Sequence, residues 1–278
     1  MATYESAEVV KTATGRQYHI GCGPGDVAPY ILLCGDPARV HRVAKYFDQA
    51  RAPITHREYV TITGMYRGIP LTVMATGMGP DNTEIAVVEL SQIVQRPTLL
   101  RIGSCGAIRQ GIELAELVIS TGAVRLENTT SFYVVDGYPA VAHHEAVVAL
   151  IEAAARCGFP HHLGITATAP GFYACQARKV PGFPVRDPEL PAKLESMGVA
   201  NFEMEASALF TLGSIINARA GAVCAVYANR HLNQFIDDAT MQLAEQRCIE
   251  TGLAAIEVLA AMDQKKGAAA WWTPSHGL

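Results

Sequence analysis

A chain of 278 residues, half of them hydrophobic, has enough apolar material for a sizeable core and fits one large α/β domain or two ordinary ones. Its net charge of −4, with both signs interspersed, supplies no basic stripe able to track a phosphodiester backbone, so no nucleic-acid partner is expected. The start up to Gly21 lacks the basic and apolar regions of a leader and no apolar stretch reaches bilayer length. The scattered cysteines lack metal-ligand spacing and read as reduced thiols, so the expectation is a cytoplasmic protein without a membrane partner or bound metal.

Along the chain, apolar runs of strand length alternate with helical patterns: a strand over 31–34 and a helix over 38–47, a strand over 71–75 and a helix over 83–94, a strand over 98–102 and a helical pattern over 117–124. The segment 59–75, with Gly68 in its middle, reads as a hairpin, so the sheet is not purely parallel. The second half continues with a helix over 145–157, a strand over 163–168, a helix over 204–217, a strand over 222–228 and a last helix over 241–262. This alternation implies a mixed, largely buried sheet covered by helices on both faces. No composition shift or long linker divides the chain, which predicts one domain over 1–278, with its core at about 19–262 and a tail at 263–278. The proline-rich stretch 182–191 reads as a surface connector. In the tail, the adjacent indoles of Trp271 and Trp272 are costly to leave in water and are expected to dock on this subunit or a neighbour.

Three segments carry chemistry. In Gly35-Asp36-Pro37-Ala38-Arg39 a strand ends at glycine, Asp36 suits an N-cap and Pro37 the first helical position, so the turn offers backbone N–H groups and a positive helix end to an anion. Arg101 follows an apolar run and precedes Ile102-Gly103, where a core strand should end. A charge there needs a partner: a tetrahedral oxyanion held with the Ser104 hydroxyl and the glycine-framed backbone, or a carboxylate in a structural ion pair. The acids of Glu203-Met204-Glu205 stand at a predicted helix start, from which one carboxylate can point outward and grip a diol; the macrodipole alone also favours acids there.

With His19-Ile20-Gly21, His56-Arg57-Glu58-Tyr59 and Arg101-Ile102-Gly103-Ser104-Cys105-Gly106-Ala107 in the same order, the sequence resembles the nucleoside phosphorylase-I family from about His19 to the last long helix. Within that family, Phe172-Tyr173-Ala174-Cys175-Gln176-Ala177-Arg178 resembles the base-recognition segment of the uridine phosphorylase subgroup. The resemblance implies a three-layer αβα sandwich with a mixed, partly barrel-like sheet, assembled as homodimers or as hexamers of dimers with shared active sites. It implies reversible cleavage of a nucleoside by inorganic phosphate, a co-substrate, with no cofactor.

Carried over residue by residue, Gly35, Arg39, Arg101 and Ser104 would hold phosphate, with Arg57 reaching in from an adjacent subunit. His19, also from the neighbour, would contact the ribose 5′-hydroxyl; Glu205 would bind the ribose hydroxyls, with Met204 beneath the sugar and Glu203 nearby. Phe172 would pack on the base, while Gln176 and Arg178 would meet its polar edge. Arg101, Glu205 and Arg178 are the residues expected to carry the chemistry. Asn229 stands where purine-directed relatives place an acid, which favours a pyrimidine. Tyr227-Ala228 replaces an aliphatic pair common in the subgroup, which leaves the choice among uridine, deoxyuridine and thymidine open. A purine phosphorylase, a nucleosidase of the same fold and a non-catalytic nucleoside-binding protein are the alternatives.

Overall fold

The computed structural model describes residues 6–278; the first residues of the start read above as leaderless lie outside the described residues. In chain order the elements are β1 (Tyr30–Cys34), α1 (Pro37–Ala44), β2 (Gln49–Ala50), β3 (Ile54–His56), β4 (Tyr59–Tyr66), β5 (Ile69–Ala75), α2 (Pro80–Ser91), β6 (Thr98–Ala107) and β7 (Leu117–Arg125). There follow β8 (Ala140–Val141), α3 (His144–Cys157), β9 (His161–Thr168), α4 (Leu190–Ser196), β10 (Val199–Glu203), α5 (Ala206–Ile215), β11 (Arg219–Asn229), β12 (Gln234–Phe235) and α6 (Asp238–Lys266).

Local chemistry explains the first of these. The continuous apolar run of β1 suits a strand covered on both faces, and it pairs in parallel with both β5 and β6. Asp36 caps α1 by accepting from the Ala38 N–H at 2.9 Å, and Pro37 occupies the first turn. In the predicted hairpin, Tyr66 faces Ile69 across a two-residue turn in which Arg67 and Gly68 both have positive φ (48° and 77°), the geometry that matches strand twist.

Among the described residues, the twelve strands belong to a single sheet. β6, β11, β7, β9 and β10 close on themselves through a β11–β6 pairing, giving a five-stranded mixed barrel from which β1, β5 and β4 extend. Helices α1, α3 and α6 pack on one face around Val43, Leu150 and Leu253, and α2 and α5 on the other around Val87, Leu90 and Phe210. This is the three-layer arrangement expected from the sequence. Each such fully buried side chain contributes roughly 1.5–3 kcal/mol.

Two expectations are corrected. Residues 117–124 form a strand, not a helix: Leu117, Val118 and Ile119 are fully buried between β9 and β11, and a short apolar run with β-branched residues takes the state its neighbours impose. The strand through Arg101 does not end at Ile102 but continues to Ala107, because β11 pairs with it along its whole length. On its other edge β6 changes partner, pairing with β1 up to Arg101 and with β10 from Gly106. Between those registers the sheet parts, and the cleft described next opens there. Gly103 lies inside the strand, where a Cβ would stand 2.7 Å from Arg101 Nη2 and 3.0 Å from Cys224 Sγ.

The tail docks in part. Trp272 is 8% exposed and packs into the core of the α3–α6 face, whereas Trp271 is 60% exposed. Among the described residues no helix is long and apolar enough to cross a membrane.

Candidate active site

A cavity of about 480 Å³ at the parting of the sheet is lined by Gly35, Arg39, Arg101, Ser104, Phe172, Gln176, Arg178, Glu203, Met204 and Glu205. These belong to separate segments of the chain that the predicted roles assigned to phosphate, ribose and base. His19 and Arg57 do not line it. His19 is held by Glu89, which accepts from its backbone N–H at 3.0 Å and lies 2.7 Å from its Nδ1. Arg57 sits in the turn between β3 and β4 with φ 54°, its guanidinium 5.0 Å from the centre of the Tyr18 ring.

The two acids of Glu203-Met204-Glu205 have different tasks. Helix α5 begins at Ala206, two residues later than the sequence suggests, because Glu203 closes β10 and Glu205 is the N-cap residue. The fully buried Glu203 carboxylate does the capping: it accepts from the backbone N–H groups of Glu205 at 2.8 Å and Ala206 at 2.9 Å, and from the Thr168 hydroxyl at 2.6 Å. Burial pushes its pKa up, Arg101 pulls against this and Glu205 adds to it, leaving the carboxyl above its ordinary value. Relieved of capping, the Glu205 side chain turns to the cavity wall, where Oε1 accepts from the Gly79 N–H at 2.7 Å. Its Oε2 is buried and lies 2.5 Å from Arg101 Nη2 as an ion pair.

Arg101 is 8% exposed and bridges both acids, with Nε donating to Glu203 Oε2 at 3.1 Å. The structural ion pair and the oxyanion reading therefore coexist: the arginine has carboxylate partners and still faces the cavity. Burial opposes its charge, and Glu205 and Glu203 more than offset that, so its pKa stands above the ordinary arginine value. Arg39 reaches the same wall from α1, with Nε donating to Glu245 at 2.6 Å and Nη1 to the Ile102 carbonyl at 3.0 Å. Gly35 touches the facing turn closely; a Cβ there would meet the Gly77 carbonyl oxygen at 3.2 Å.

At the other end, Phe172 and Arg178 form one flat wall. The Arg178 guanidinium lies 4.0 Å over the Phe172 ring and its Nε donates to the Phe172 carbonyl at 3.0 Å. Gln176 is buried in a single 3-10 turn, with its amide oxygen 3.5 Å from Arg178 Nη2. Burial, with Arg230 as a like charge, lowers the Arg178 pKa to about 10. Arg230, which sequence reasoning missed, donates to the Gln176 backbone carbonyl at 3.0 Å and so fixes this turn. Its only sequence signal is a charge directly after an apolar strand. Asn229 does not line the cavity: its amide donates to the Ile112 carbonyl at 3.1 Å and accepts from the Leu232 N–H at 2.9 Å.

The cavity thus offers cations at one end, the Glu205 carboxylate in the middle, and an aromatic face with an amide and a guanidinium at the other end. The chain is 46% identical over 267 residues to a uridine phosphorylase of Thermococcus kodakarensis, covering 95% of this chain and 94% of the relative. It is 35% identical over 240 residues to that of Escherichia coli, covering 84% and 94%. A solved Trypanosoma brucei nucleoside phosphorylase, described as showing uridine phosphorylase activity, superposes with a TM-score of 0.85 at 26% identity, covering 90% of this chain and 99% of that one. The family model of the phosphorylase superfamily matches residues 29–257, a span that contains every cavity-lining residue named above, and the chain belongs to that superfamily.

Proposed function

We propose that the chain is a uridine phosphorylase, a pentosyltransferase that cleaves uridine with inorganic phosphate to uracil and ribose 1-phosphate. The observation that carries this reading is the placing of Glu205, a carboxylate on the cavity wall held by the Gly79 N–H and Arg101, between an arginine-lined end and an amide-lined end. A carboxylate so placed accepts from ribose hydroxyls and gains strength as the ring becomes cationic.

A phosphate oxygen, held by Arg39, Arg101, Ser104 and the Gly35 turn, attacks the anomeric carbon; the glycosidic bond breaks and its electron pair leaves on the base. Phosphate charge is offset by the arginines, so it can approach a sugar already gripped by a carboxylate. Negative charge spreading onto the uracil carbonyl oxygens is met by Arg178 and Gln176, with Phe172 against the ring. No general acid is required, which fits an Asn229 whose amide is committed to backbone partners.

The test is release of base with phosphate present or omitted, from uridine and from inosine. Uracil and ribose 1-phosphate formed only with phosphate are expected; hydrolysis without phosphate or cleavage of inosine alone would overturn the reading.

The enzyme works as a homo-oligomer with shared sites, in the cytoplasm. Free thiols at all seven cysteines suit a reducing compartment. The position of Arg57 and His19 outside their own cavity supports sharing, because each is then available to a neighbour's. Chains carrying Arg57→Ala and Glu205→Gln should each be nearly inactive alone, while co-expression should restore about a quarter of wild-type turnover for random pairing into two-fold dimers. No recovery in the mixed enzyme would sink the shared-site arrangement.

A further inference from the structure

Beside the active cavity lies a second one of about 680 Å³, between α1 and α6, and Asp36, Arg39 and Tyr227 line both. Tyr227 occupies the register shift of β11 opposite β6, which turns its ring into this partition. Glu245, on α6, lines only the second cavity. It nevertheless reaches the active site through Arg39, whose Nε donates to its Oε1 at 2.6 Å, the two side chains being 8% and 12% exposed. Arg39 Nη1 also donates to the Ile102 carbonyl at 3.0 Å, so Nη2 and the second N–H of Nη1 are what the guanidinium has left for the active cavity.

Glu245 is itself held. Arg42 Nε lies 2.5 Å from its Oε2 and Arg42 Nη2 donates to its Oε1 at 2.9 Å. The same Arg42 nitrogen donates at 2.6 Å to Asp36, the residue that caps α1. The contacts form a closed ring from the Gly35-Asp36 turn through Arg42 and Glu245 back to Arg39. A long side chain such as arginine has many rotamers; pinning two of the three nitrogens of its planar guanidinium fixes the place of the third.

We propose that Glu245 is a positioning residue for phosphate binding: it fixes the Arg39 guanidinium so that Nη2 points at the anion, without touching substrate itself. The inference rests on the phosphorolysis reading above. An alternative role for Glu245, as a plain stability contact between α1 and α6, makes a different prediction. Loss of a stability contact lowers the melting temperature and the amount of active enzyme while leaving affinities alone.

The experiment compares Glu245→Ala and Glu245→Gln with wild type, varying phosphate at saturating uridine and uridine at saturating phosphate. Glu245→Ala should raise the KM for phosphate roughly 10- to 100-fold with the KM for uridine little changed. Glu245→Gln, which keeps an oxygen for Arg39 Nε, should recover most of that loss. Independently of turnover, the rise in melting temperature that phosphate confers on wild type should shrink in Glu245→Ala at equal phosphate concentration. If wild type requires phosphate but both variants keep its KM and its thermal shift, the positioning role is wrong and the functional reading stands. Base release by wild type without phosphate would overturn both together.

Discussion

Arg101→Ala is expected to lower turnover about 10²- to 10³-fold, the loss typical of removing a preorganised charge from a reacting centre, and to raise the phosphate concentration needed for saturation. The same change should destabilise the fold. With Arg101 gone, Glu203 and Glu205 face each other in a buried wall with no cation between them. Breaking a buried pair from one side costs about 3–5 kcal/mol, a fall in melting temperature of roughly 6–20 °C. Arg101→Lys separates the two effects: an ammonium restores the charge between the acids but cannot bridge Glu203 and Glu205 in the planar fork. It should regain more stability than turnover. Steady-state kinetics in phosphate and thermal unfolding of the three proteins provide the check, and an unchanged phosphate saturation curve for Arg101→Ala would refute the anion-site assignment.

Glu145→Ala is expected to produce the largest purely structural effect, about 3 kcal/mol, with the activity per folded molecule retained. Glu145, in the first turn of α3, has a fully buried side chain. Its oxygens accept from the Trp272 N–H at 2.8 Å, from Lys266 Nζ at 3.0 Å and from Arg219 Nη1 at 3.0 Å. Asp263, which also holds the Tyr30 hydroxyl at 2.5 Å, shares both cations. Because Lys266 and Arg219 keep 15–16% exposure and this second acid, the cost falls at the low end of the range for a broken buried pair. The docked tail should loosen as well, seen as a red shift of the emission from Trp272.

The pH dependence has a definite sign. Burial alone would raise the Glu145 pKa, but the Trp272 N–H, Lys266 and Arg219 reverse that and hold it below the ordinary value. A carboxyl depressed on folding stabilises above its unfolded pKa of about 4.3, and that contribution is lost as pH falls through the folded value. The stability gap between wild type and Glu145→Gln should therefore narrow below about pH 4; a gap that widened in acid would contradict the network.

How much of this was legible in the sequence depended on the range of the physics involved. The turn at Gly35-Asp36-Pro37, the hairpin through Gly68 and the long last helix announce themselves by caps, turn residues and periodicity within a few positions. β7 did not, because a buried apolar run carries no period that separates strand from helix. The strand β10 was hidden behind the acids that end it, and its Val199–Phe202 run is too short to stand out. The site residues were readable as types in order, but their partners were not. That Glu203 caps a helix while Glu205 faces the cavity follows from three-dimensional placement of Thr168, Gly79 and Arg101, none adjacent in sequence. Glu245 gave no local signal and Arg230 only that of a charge after an apolar strand, since each acts through a residue on another element.

The contact between Arg39 and Glu245 spans 206 positions. During synthesis the turn at residues 35–39 leaves the ribosome long before its acid partner exists, and Arg39 must wait for α6 to pack before its guanidinium is oriented. With Glu245 positioning Arg39 as proposed, competence to hold phosphate arrives with the final helix, and a chain that has not finished folding does not present the finished anion site.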